Sequence, residues 1–127
     1  MPLPENEVFP LIGEAGFEHL VAAFYRQIPT DDLLGPLYPP SDFAGAEQRL
    51  RDFLIYRFGG PDRYLHERGS PHLRMRHAPF AIPQAARDRW MLLMNNALEE
   101  TQLPPEPAAT LRNFFEDAAT FLINRRG

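Results

Sequence analysis

Apolar side chains recur along this chain at steps of three and four residues, the spacing of one face of an α-helix. Phe17, Leu20, Val21, Phe24, Tyr25 and Ile28 form the first such stripe, and Pro29 predicts its end. A second stripe runs through Ala46, Leu50, Phe53, Leu54 and Tyr56 or Phe58. Ser41 or Asp42 is placed to cap it, and Gly59-Gly60-Pro61 stops it. A third helix is predicted from near Pro83, carrying Trp90, Leu93, Met94, Ala97 and Leu98. Pro104-Pro105 separates it from a fourth, with Leu111, Phe114, Phe115, Ala118, Phe121 and Leu122 on one face. No segment alternates with a period of two, so no strand is predicted. The fold class is all-α: four main helices in a single domain over 1–127, with residues 1–11 as an irregular lead-in.

Composition narrows the classes of function. The 127 residues suit one modest core, and 44% hydrophobic and 12% aromatic content is globular, not disordered. A formal net charge of -4 argues against a primary role on nucleic acid or an acidic membrane surface. No apolar run approaches the roughly 18 to 20 residues that span a bilayer, and no basic-then-apolar leader opens the chain. The absence of cysteine excludes disulfides and thiolate zinc sites. A soluble, cytoplasmic protein is expected.

The segment from Asp62 to Phe80 breaks the pattern. It is polar, punctuated by glycine and only briefly helical, and such a long connection in a small helical domain is usually functional. Three of the four histidines fall here: His66, His72 and His77. Gly69-Ser70-Pro71 supplies a cap and a proline suited to a first helical turn, while Pro79 disfavours helix at Ala78. His77 therefore ends a short helix in a fixed frame. An imidazole so placed can ligate a metal, or it can be an ordinary polar surface group. The spacings match no zinc-finger or HExxH pattern.

Several runs in the chain carry a resemblance to a known family. Phe58-Gly59-Gly60-Pro61, Arg68-Gly69, Leu73-Arg74-Met75-Arg76-His77-Ala78-Pro79-Phe80 and Arg87-Asp88-Arg89-Trp90 are the most specific. Upstream lie Phe24-Tyr25-Arg26-Gln27, Leu37-Tyr38-Pro39 and Ala44-Gly45-Ala46-Glu47-Gln48-Arg49-Leu50. Together they resemble a truncated haemoglobin of group II over roughly residues 12 to 125. The resemblance implies a two-over-two helical sandwich around haem b, with His77 as the proximal ligand to iron. It departs from the family at Pro83, where a small capping polar residue is usual.

The same resemblance assigns the remaining roles. Tyr25, Tyr38 and Trp90 become distal hydrogen-bond donors; packed aromatics would explain the same residue types. Indole can donate but cannot ligate, which suits it to stabilising a polarised ligand. Ala46 falls where many globins keep a distal histidine and leaves a short entry route, while Leu50 shapes the pocket beside it. Arg49, Tyr64 and Arg76 are the candidates for the haem propionates, with Arg68 and Arg74 as solvated or capping residues. Phe53, Leu54, Leu73, Met75, Ile82, Met94 and Leu122 are expected to pack on haem, although core packing alone accounts for most of them. Dioxygen, nitric oxide, carbon monoxide or peroxide are the implied ligands. Three donors over the iron favour redox chemistry on the ligand, such as nitric oxide detoxification or peroxide use, over bulk storage. That chemistry needs an unidentified reductase, and a homodimer is left open. The alternatives are a haem-based sensor or electron-transfer partner, and a cofactor-free helical interaction domain.

Overall fold

A computed structural model describes residues 3–77 and 81–124. Among these residues six α-helices follow one another: α1 Val8–Tyr25, α2 Phe43–Arg57, α3 Arg63–Arg68, α4 Leu73–His77, α5 Gln84–Thr101 and α6 Pro105–Phe121. Among the described residues there is no strand. Helix α1 packs on α2 and α5, and α6 packs on α5 and α1.

The stripes read from the sequence are the faces that meet. Phe17, Leu20, Phe24, Leu54, Phe58, Met94, Leu111 and Phe115 are fully buried or within 2% of it. Each contributes about 1.5–3 kcal/mol when removed from water. Phe17 stacks near Phe9 and meets Phe58, and Phe58 meets Phe114 edge-on at 5.1 Å. This aromatic column ties the start of α1 to α2 and α6.

The lead-in is more regular than expected. Residues 5–7 form a 3-10 turn and α1 begins at Val8, itself fully buried. Pro10 does not prevent this, because the first turn of a helix has no intrahelical use for its N–H. The backbone N–H of Phe9 instead docks the segment by donating to the Phe58 carbonyl at 3.0 Å. Helix α1 is kinked at Gly13.

Other boundaries also shift. Helix α1 ends at Tyr25, and the chain to Ile28 tightens into turns closed by Gln27 N–H on Phe24 O and Ile28 N–H on Tyr25 O. Asp42 makes no capping bond to α2; a 3-10 turn at Pro40–Asp42 runs straight into that helix, and its carboxylate pairs with Arg49. The Asp62–Phe80 segment holds two short helices, and α4 starts at Leu73 rather than at Pro71. His72 supplies the break before it at φ 42°. Ala78, Pro79 and Phe80, and the side chain of Arg74, lie outside the described residues. Pro83 is the extended residue immediately before α5, where a proline is well tolerated.

Candidate functional site

A cavity of about 380 Å³ opens between these helices. It is lined by Tyr25 of α1, Leu37 and Tyr38 of the following loop, Ala46, Leu50, Phe53 and Leu54 of α2, and Trp90 of α5. Tyr64, Leu73, His77, Ile82 and Leu122 complete the walls. That places most of the predicted site residues, scattered widely along the sequence, around one space.

His77 is the last residue of α4. Its Nδ1 lies 2.7 Å from the carbonyl oxygen of Leu73, one turn back. A carbonyl can only accept, so Nδ1 carries a proton and donates it. The carbonyl of His77 is in turn held by Asn124 Nδ2 at 3.4 Å. Asn124 also exchanges two bonds with Ile82: Ile82 N–H donates to Asn124 Oδ1 at 2.8 Å, and the Asn124 backbone N–H donates to Ile82 O at 2.9 Å. Residues on both sides of positions 78–81 are thereby anchored to the chain beyond α6.

The polar groups on α1, α5 and the loop between α1 and α2 form a second cluster. The Tyr25 ring meets Tyr38 edge-on at 5.6 Å and Phe43 at 5.4 Å. Trp90 packs on Phe24 at 4.9 Å and on Phe115 at 5.5 Å. Burial raises the Tyr38 phenol above its ordinary value, against the smaller opposing influence of the neighbouring Trp90 indole and Tyr25 hydroxyl. Burial, and then the neighbouring Tyr38, push the Tyr25 phenol far up. Both remain protonated donors throughout neutral and mildly alkaline pH.

The comparison that decides the family is with a sequence model of the bacterial-like globins, which matches residues 7–124. The chain belongs to that family. Its relatives place it in group II: it is 33% identical over 120 residues to the group 2 truncated hemoglobin YjbI of Bacillus subtilis, covering 94% of this chain and 90% of that one. The crystal structure of the Chloroflexus aurantiacus haemoglobin superimposes with a TM-score of 0.90 at 39% identity, covering 97% of this chain and 100% of the other. A truncated oxygen-avid haemoglobin from Bacillus subtilis gives 0.86 at 33%, covering 92% and 98%. The all-helical fold of this globin is thus that of the truncated haemoglobins, and haem b is its cofactor.

The cavity fits that group. It is mostly apolar, as a porphyrin face requires, and presents one oriented imidazole. Among the described residues no set of three His, Cys, Asp or Glu is grouped to hold a bare metal ion. Arg49, Arg68, Arg76 and Tyr64 line the same space with groups that suit carboxylates.

Two residues expected to pack on haem, Met94 and Met75, lie outside the cavity lining. Met94 is fully buried in the core and does not line the cavity, because its turn of α5 faces the packed interior. Met75 is 67% exposed on α4. Arg76 lines the cavity with part of its guanidinium engaged elsewhere: Nε donates to Pro71 O at 2.7 Å and Nη2 to the carbonyls of Arg68 and Ser70. It pins the turn before α4. Arg68, read from sequence as solvated or capping, is exposed and also lines the cavity, as do Asp42 and Arg87. Phe114, Phe115, Ala118 and Ala119 of α6 were also missed as lining. Their period matched a core helix equally well, so no signal separated the two.

No helix among the described residues is long and apolar enough to cross a membrane. The family binds diatomic ligands such as dioxygen.

Proposed function

We propose that His77 ligates the haem iron through Nε2, and that Tyr25, Tyr38 and Trp90 hold a diatomic ligand on the other side for redox chemistry rather than for storage. Bound haem supplies the iron that takes the ligand and exchanges one electron. The chain supplies everything that orients and stabilises. The observation that carries this reading is that Tyr25, Tyr38 and Trp90 line one cavity together with His77, with the Tyr25 and Tyr38 rings edge-on at 5.6 Å. A hydroxyl has one proton to give. A polarised diatomic ligand in the cavity is an acceptor for the Tyr38 proton, as it is for those of Tyr25 and Trp90.

Such a cluster holds dioxygen tightly and slows its release. That agrees with the oxygen-avid description of the similar Bacillus subtilis structure. Slow release suits reaction of the held ligand, such as conversion of dioxygen and nitric oxide to nitrate, or use of peroxide. The nitrate reaction leaves the protein one electron short, so turnover calls for an external reductase. Ala46 presents only a methyl group at the cavity wall, and we assign it the shortest ligand entry route. Arg49, Tyr64 and Arg68 anchor the propionates.

Stopped-flow mixing of the oxygenated protein with nitric oxide tests the redox reading. Nitrate should form faster than dioxygen dissociates. A reaction no faster than ligand exchange would refute it.

A further inference from the structure

Arg89, one residue before Trp90, points away from the cavity onto a loop. Its Nη1 donates to Asp31 Oδ1 at 2.6 Å and to Asp32 Oδ1 at 2.7 Å. Asp31 is the centre of that loop. Its Oδ2 accepts the backbone N–H groups of Leu33 at 3.0 Å and Leu34 at 2.7 Å, and its own carbonyl accepts Gly35 N–H at 3.0 Å. The Asp31 side chain is 8% exposed, whereas that of Asp32 is 82% exposed. Burial alone would raise the Asp31 carboxyl; the Leu34 amide and the Arg89 guanidinium outweigh it and hold it below the usual carboxylate range.

This anchored carboxylate begins the segment that ends in Tyr38. Leu34 and Leu37 enter the cavity wall, and a 3-10 turn over Gly35–Leu37 is closed by Tyr38 N–H on Gly35 O at 3.1 Å. A continuous path of covalent and hydrogen bonds therefore runs from Trp90 through Arg89, Asp31 and Leu34 to Tyr38, and its two ends line the same cavity. Consecutive helical residues point about 100° apart, so one can grip the loop while the other faces the ligand space.

We infer that Asp31 and Arg89 are positioning residues that set the Tyr38 hydroxyl against the Trp90 indole, and so set how firmly the site holds its ligand. The inference rests on the distal-donor reading above. A charged pair used this way changes the coupling between two donors without touching the ligand.

The test uses the haem-loaded protein. Asp31→Asn should retain haem stoichiometry yet broaden or split the infrared stretching band of bound carbon monoxide. It should also speed dioxygen release by about fivefold, within the range expected for residues that act through a neighbour. Asp32→Asn should leave both readouts at their wild-type values. If Asp31→Asn does not fold, Arg89→Gln is expected to give the same two changes. In a Tyr38→Phe/Trp90→Phe background the Asp31→Asn change should vanish. An unaltered band and rate in Asp31→Asn, or the same change in that background, would overturn the positioning role. Release at the wild-type rate by the Tyr38→Phe/Trp90→Phe protein itself would instead overturn the distal-donor reading.

Discussion

Replacing Gly59 by alanine should destabilise the fold by about 3 kcal/mol, the sum of a conformational and a steric cost. Gly59 has φ +102°, a region that costs an L-residue roughly 1–2 kcal/mol. A Cβ there would lie 2.2 Å from the carbonyl oxygen of Asn6 and 2.9 Å from its carbon, both backbone atoms that cannot rotate aside. Relief requires the 5–7 turn to move, which strains the neighbouring Phe9 N–H to Phe58 O bond and adds about 1–2 kcal/mol. Gly69 is the matched control, with φ +74° and nothing within 4 Å of its virtual Cβ. Gly69→Ala should cost only the conformational share, about 1 kcal/mol. For a chain of this length ~1 kcal/mol shifts the melting point by about 4 °C. Thermal unfolding followed by circular dichroism, at equal haem loading, should therefore place Gly59→Ala about 12 °C below wild type and Gly69→Ala about 4 °C below. Neither residue lines the cavity, so dioxygen release from the folded protein should be unchanged. Equal melting points for the two variants would refute the docking of the N-terminal turn on this corner.

The remaining expectations concern the site. His77→Ala should lose most of its haem on purification, with added imidazole restoring the Soret band; full haem with an unchanged spectrum would exclude His77 as ligand. Ala46→Leu should slow carbon monoxide association by roughly tenfold, a barrier increase of about 1.4 kcal/mol, and an unaltered rate in flash photolysis would sink the entry route. Tyr25 keeps its proton in the folded state above pH ~10, where an unfolded phenol loses it. Its contribution to stability is thus full below that value and falls as pH rises past it, so alkaline denaturation profiles of Tyr25→Phe should decline less steeply than wild type. Asp31 has the opposite sign: its lowered value contributes stability above the unfolded carboxyl value of ~3.9, lost as pH falls through the folded one. Acid titration of Asp31→Asn should show a shallower loss below pH ~4.

Much of the fold could be read in advance because its helices are amphipathic and proline-punctuated. Phe17 to Tyr25 and Leu111 to Phe115 supply the buried faces that the period required. The helix from Val8 was harder to see. Pro10 reads as a break, and nothing local announces the distant Phe58 carbonyl that receives the Phe9 N–H. Site residues showed the same division. His77 stood out through its frame, whereas Arg68 and Arg76 are both arginines flanking a glycine loop and differ only in what their guanidinium groups meet. Both line the cavity, but Arg76 also binds three carbonyls. Met94 failed for a related reason: periodicity gives a face, and one face of α5 serves both core and cavity.

Asn124 carries a consequence for how the protein is made. It lies 47 residues beyond His77, yet its side chain holds the His77 carbonyl and the Ile82 amide. A ribosome adds roughly 5–20 residues per second, and the N-terminal part emerges first. Helices α1 and α2, with Tyr25, Tyr38 and Ala46, can therefore be out and packed while the wall bearing His77 still lacks its fastening. The bonds from Asn124 that fasten this wall wait until residue 124 has emerged.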